Sequence, residues 1–146
     1  MALVVAALVA VVAVVAAVVL WADRGRSAFG GGSFADVESA VTRGGLQICS
    51  TVDLPKGQAN QAVHSRQYEI GLSCPPPSGR SASMVVDQFS TPEARDAAVQ
   101  SFEVLNRPRG SGVAYTFRSF SIFVRGSSQD VVQDRLNVLL SELGAR

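Results

Sequence analysis

Residues 113–124, VAYTFRSFSIFV, are the stretch on which the fold turns. Val113, Tyr115 and Phe117 alternate with smaller or polar residues, and so do Phe120, Ile122 and Val124, but in the opposite phase. Side chains on a strand point to alternate faces, so one face cannot bury both sets unless the chain turns or bulges at Arg118-Ser119. A two-residue hairpin is the preferred reading, although Arg-Ser lacks the Gly or Asn that such turns favour. A hairpin here makes the sheet antiparallel at this edge.

Working outward, Ser90-Thr91-Pro92-Glu93 carries a helix start: a hydroxyl cap, Pro in the first turn, and Glu near the positive end of the helix dipole. Ala94, Ala97, Ala98, Phe102 and Leu105 follow at helical spacing, until Pro108 and two glycines end the run. Upstream, residues 81–89 and the alternating Tyr68, Ile70, Leu72 and Cys74 read as two strands. Pro75-Pro76-Pro77-Ser78-Gly79 joins them and cannot continue a ladder. Leu46, Ile48, Val52 and Leu54 mark a further strand, and residues 56–65 are polar, either a loop or one helical turn. Ser33 and Asp36 have capping-box spacing ahead of Phe34, Val37, Ala40 and Val41, and Gly44-Gly45 stops that short helix. Ser127 and Asp130 repeat the spacing before Val132, Leu136, Leu139, Leu140 and Leu143, and Gly144 closes the last helix.

The order is α-β-β-β-α-β-β-α. Short turns between strands imply an α+β domain over residues 34–146, with a mostly antiparallel sheet of about five strands and three helices. The helices are expected on one face, giving two layers.

Cys49 and Cys74 are the only cysteines. They are candidates for a disulfide, with two buried free thiols as the alternative. Cys74 shares the phase of Tyr68 and Ile70, whereas Cys49 is out of phase with Leu46 and Ile48. A bond between them therefore requires a bulge or an edge arrangement.

The first 22 residues are all apolar. Residues 2–22, as a helix rising 1.5 Å per residue, would span about 30 Å, the thickness of a bilayer core. Trp21 suits the headgroup interface, and Asp23, Arg24 and Arg26 mark an exit into water. Nothing basic precedes the run, and Leu20 stands two before a cut after Ala22, so an uncleaved single-pass signal anchor is expected. Residues 23–33 then form a Gly/Ser-rich tether with a reach of roughly 15–20 Å.

Orientation is contested within the sequence. Arg24 and Arg26 would hold the domain in the cytoplasm by the positive-inside tendency. The cysteine pair and the low-charge, Ser/Thr/Gly-rich domain favour the extracytoplasmic side, which is the expectation taken forward.

The chain carries 13 basic and 12 acidic residues, a net charge of +1. No basic face is evident, so a nucleic-acid partner is not expected. No second run approaches the ~18 apolar residues of another span, which excludes a polytopic transporter.

His64, the single histidine, stands in a polar stretch with no nucleophile elbow, and reads as an exposed residue. A metal site from His64, Cys49 and Cys74 would lack any ligand spacing. Asp53, Glu69 and Asp87 lie in or beside strands, and read as outward residues rather than paired acid–base carboxylates. Gly30-Gly31-Gly32 lacks the Lys and Ser/Thr of a phosphate loop. Arg107 and Arg109 could grip an anion or headgroups, and Phe123, out of phase with Phe120 and Ile122, reads as a surface aromatic. These three form a weak candidate interaction surface.

No catalytic set, metal or cofactor is implied. The expectation is a non-enzymatic accessory or binding domain, held at the membrane by residues 2–22 and touching a protein partner or the cell envelope. A cytoplasm-facing adaptor is the alternative, and a small envelope enzyme the third.

Overall fold

The computed structural model describes residues 29–55, 61–106, 112–126 and 131–145. The chain divides into two compact units, Met1–Gly31 and Gly32–Arg146. The expected anchor (2–22) and residues 23–28 of the tether lie outside the described residues. Among the described residues, no helix is long and apolar enough to cross a membrane.

The second unit runs α1 (Phe34–Arg43), β1 (Gln47–Leu54), β2 (His64–Gly71), β3 (Ser81–Gln88), α2 (Pro92–Asn106), β4 (Gly112–Phe117), β5 (Phe120–Arg125) and α3 (Val131–Glu142). Its strands form one antiparallel sheet in the order β1-β2-β3-β5-β4. This is the α+β order expected from the sequence.

Phe117 pairs with Phe120, which makes Arg118-Ser119 a two-residue hairpin turn. Arg118 has a φ of 53°, a left-handed conformation that Asn or Gly adopts more readily. Tertiary hydrogen bonds hold it there. The Arg95 guanidinium donates to the Arg118 carbonyl, and the Phe89 N–H donates to the Ser119 carbonyl at 2.9 Å.

The main core lies on one face of the sheet. Tyr68, Ile70, Met84, Val86, Phe120, Ile122 and Val124 point there and are fully buried. Val37 and Val41 of α1, and Val132, Leu136 and Leu140 of α3, close over them. At the start of α1, Asp36 accepts the Ser33 N–H at 2.8 Å, taking the role usually given to Glu. At its end, Gly45 has a φ of 74°, which lets the Leu46 N–H reach the Val41 carbonyl at 3.3 Å. That Schellman-type closure delivers Leu46 to the core at the head of β1.

Three features depart from the sequence expectation. First, the register of β1 shifts between Ile48 and Ser50, so Cys49 occupies a bulge. The disulfide Cys49–Cys74 is present, with Cα atoms 5.2 Å apart. The bulge that resolves the parity conflict of the cysteines also reverses the phase beyond it. Val52 and Leu54, expected beside Leu46 and Ile48, pair with Gln67 and Ser65 on the opposite face, and Val52 is 54% exposed.

Second, β2 spans His64–Gly71 rather than centring on residues 68–74. It lies between β1 and β3, and their backbones recruit the polar residues His64 to Gln67 into the ladder on both sides. At its other end the chain bends sharply: a Cβ on Gly71 would sit 2.9 Å from the Ser73 carbonyl. Leu72 and Cys74 therefore leave the strand.

Third, the helices do not share one face. Phe102 of α2 stacks on Phe123 at 4.6 Å between ring centroids, and Phe123 points away from the core of Phe120 and Ile122. The sheet thus carries α1 and α3 on one side and α2 on the other, so the two-layer expectation is corrected. The crossover from β3 to β4 must pass β5, and α1 with α3 already fill the first face. The Thr91 hydroxyl caps α2 as expected, accepting the Ala94 N–H at 3.3 Å.

The bond between Cys49 and Cys74 spans 25 residues. Loop entropy sets its contribution at roughly 3–4 kcal/mol. The double substitution Cys49→Ala/Cys74→Ala is expected to lower the urea midpoint by an equivalent amount. Reductant should have the same effect on the native chain and none on the variant.

Candidate functional site

Residues out of phase with the main core share the second face of the sheet: Ser65 of β2, Val85 and Asp87 of β3, Ser121 and Phe123 of β5. α2 covers only part of this face. Between them lies a groove of about 220 Å³, walled by Val85, Phe102, Leu105 and Phe123 and floored in part by Asp87.

Asp87 is only 3% exposed and accepts a hydrogen bond from the Ser65 hydroxyl. Ser121 stands opposite Asp87 in the β3–β5 register and is 0% exposed. Its hydroxyl has no hydrogen-bond partner among the described residues. A buried polar group without a partner costs about 1–3 kcal/mol, so the face under α2 carries an unmet hydrogen-bonding demand. Asn106 sits at the same groove, its side-chain amide donating to the Phe102 carbonyl at 2.8 Å. Arg125 lies at the rim, exposed, with its guanidinium 5.2 Å from the centroid of the Phe102 ring. Leu105 is 73% exposed and adds an apolar edge to the mouth.

A second polar cluster ties α1 to β1 and β2. The Tyr68 hydroxyl donates to Glu38 at 2.8 Å, and Arg66 donates to the same carboxylate oxygen at 3.1 Å. Arg66 also reaches Asp53 at 2.7 Å and lies 4.7 Å from the centre of the Phe34 ring. Burial, followed by the Glu38 hydrogen bond, holds the Tyr68 hydroxyl well above its ordinary value. The bond to Asp53, above all, holds Arg66 in its charged form. A neutral phenol locked to a carboxylate serves neither as base nor as nucleophile, so this cluster is a structural clasp. Its partly exposed ion pairs contribute about 0.2–1 kcal/mol each.

The second hollow, about 320 Å³ between α1 and α3, is lined by Ala40, Arg43, Gly44, Leu139, Glu142 and Leu143. None of these is a buried polar residue.

The three strand carboxylates do not meet. Asp53 is held by Arg66. Glu69 and Asp87 share the second face, but Glu69 pairs with Ser83 and Asp87 with Ser65, four residues away along β2. At ~3.3 Å per residue that is roughly 13 Å. His64 is exposed at the first position of β2, opposite Gln88. Phe123 is 6% exposed beneath α2, so its reading as a surface aromatic is corrected. The partner that covers it is Phe102, 21 positions earlier in the chain, and only the crossover brings the two together. Arg107 and Arg109 lie outside the described residues.

Asp87, expected to point outward from its strand, is instead buried at the groove. The available signal was a carboxylate two positions after Val85, in phase with Phe123 across the sheet, so that both faces of β3 have apolar neighbours.

Among the described residues, no group of His, Cys, Asp and Glu is arranged to hold a metal ion. Compared with known protein families, curated proteins and solved structures, the chain finds no match.

Tyr115 is also held above its ordinary value, by burial. Since the folded pKa values of Tyr68 and Tyr115 are raised, the unfolded chain gives up its phenolic protons first as pH rises. Their contribution is complete below about pH 10 and declines above it. Tyr68→Phe is expected to cost about 1 kcal/mol at neutral pH through the lost Glu38 bond. The same variant should lose less stability than the native chain as the pH rises above ~10. Urea midpoints across that range, with phenolate absorbance followed in parallel, check both expectations.

Proposed function

We propose that this chain is a membrane-anchored accessory domain that acts by binding, through protein or cell-envelope contacts, outside the cytoplasmic membrane. The observation that carries this reading is the Cys49–Cys74 disulfide. Such bonds persist in oxidising compartments and are rare in the cytosol. The apolar run 2–22 supplies the anchor, and the tether keeps the domain within about 20 Å of the bilayer.

Binding is favoured over catalysis by what the folded domain brings together. Among the described residues, Asp53 is clasped by Arg66, Glu69 and Asp87 stand apart along the sheet, and His64 is exposed. Its groove instead combines apolar walls with a few buried polar groups, the usual make-up of a ligand site. The cytoplasm-facing adaptor stands as the second reading on the strength of Arg24 and Arg26.

Reporter fusions after Arg146 separate the two. A reporter active only outside the cytoplasm is expected to work, and its cytoplasmic counterpart to stay silent. Activity of the cytoplasmic reporter alone overturns the location. Thiol labelling of unreduced protein from native membranes provides an independent check. No label is expected until reductant is added, and two labelled cysteines would contradict the assignment.

A further inference from the structure

We propose that the groove between α2 and the second face of the sheet binds a small carboxylate bearing one apolar ring. Arg125 receives the carboxylate, and the ring lies against Val85 and Leu105. The inference rests on the reading of the groove as a ligand site, and on neither the anchor nor its orientation.

Arg125 is the exposed cation at the mouth. Among the described residues no carboxylate pairs with it, and its guanidinium lies 5.2 Å from the centroid of the Phe102 ring. That ring is itself fixed. It stacks on Phe123 with centroids 4.6 Å apart, and a Cβ on Gly112 would sit 2.8 Å from Phe102 Cζ. A guanidinium over an aromatic face keeps N–H groups free in its own plane, where they match the two oxygens of a carboxylate.

The other charge at the groove is already spoken for. Asp87 is 3% exposed and engaged by the Ser65 hydroxyl and by a further interaction. In the β3–β5 register it stands opposite Ser121, four residues from the pair Ser83–Arg125. At ~3.3 Å per residue that separation is roughly 13 Å, beyond the ~8 Å Debye length at physiological salt. A carboxylate on Arg125 thus meets the cation in contact, and Asp87 only across the length of the groove.

Size and lining set the body of the ligand. An apolar cavity of about 150 Å³ accepts a benzene ring, so the groove of about 220 Å³ holds one ring and a short alkyl arm. Val85 is half-buried and Leu105 is 73% exposed, so both present apolar surface that the fold leaves uncovered. Ala98 and Ser101 are the small residues that α2 sets along the groove, and they keep the helix from filling it.

The test uses the full chain in nanodiscs of zwitterionic lipid. Three probes separate head from ring: 3-phenylpropanoate, 3-phenylpropanamide and propanoate. Methyl resonances of Val85 and Leu105 report occupancy of the groove. Phenylpropanoate is expected to shift both in a saturable way, with the amide about fivefold weaker or more and propanoate without effect at the same concentrations. Arg125→Gln should weaken phenylpropanoate to the level of the amide and leave the amide unchanged. Arg125→Lys should restore part of the difference, since it keeps the charge without the planar fork. Ser101→Phe, at an exposed position lining the groove, should block both ring-bearing probes while the remaining methyl spectrum stays native.

Binding of the amide as tightly as the acid overturns the proposal. So does phenylpropanoate binding that survives Arg125→Gln or Ser101→Phe in a folded chain, or no saturable shift with any probe. Failure of this kind with an active outside reporter removes the ligand class alone. Phenylpropanoate binding in a chain whose reporter is cytoplasmic supports the ligand class and removes the location alone.

Discussion

The β3–β5 pair is buried from both sides, and the rest of the domain is arranged around that constraint. Met84 opposite Val124 and Val86 opposite Ile122 face α1 and α3. Val85 opposite Phe123 and Asp87 opposite Ser121 face the side of α2. A strand buried on both faces must satisfy two sets of neighbours at once, so its register is strongly specified. The hairpin at Arg118-Ser119 places β5 beside β3. The bonds from Arg95 and Phe89 to that turn then hold β3, α2 and the hairpin in one geometry.

At the other edge, the bulge at Cys49 has three consequences from one extra residue. It brings Cys49 to Cys74, it ends the apolar alternation of β1, and it moves Val52 to the exposed face. A bulged and polar β1 also makes a poor template for pairing with another chain, the usual hazard of an edge strand. Beside it, the clasp of Glu38, Arg66, Tyr68 and Asp53 joins α1 to both strands. Each bond is modest, but Tyr68 is fully buried, and its hydroxyl must have a partner there.

The two faces of the sheet do different work. The first is packed with apolar side chains and closed by two helices. The second keeps a buried carboxylate and an unpartnered hydroxyl under a single helix. A buried hydroxyl without a partner lowers stability. The clasp differs from the groove in that its donors and acceptors already meet one another.

Much of this fold is legible in local patterns. The order of elements follows from period-2 and period-3.6 alternation. The ends of α1 and the start of α2 follow from Ser33, Asp36, Gly45 and Thr91, because caps are made within a few residues of chain. The change of phase at Arg118-Ser119 marks the hairpin even without a favoured turn residue. The sequence alone thus determined the strands, the helices, the antiparallel sheet and the need for a bulge if the cysteines are joined. Only the tertiary structure decided where that bulge falls, how far β2 extends, and that α2 crosses to the second face to cover Phe123. Those outcomes depend on backbone partners and ring contacts between residues far apart in the chain. No local periodicity records them, and they are what turned Asp87 from an outward strand residue into the floor of a groove.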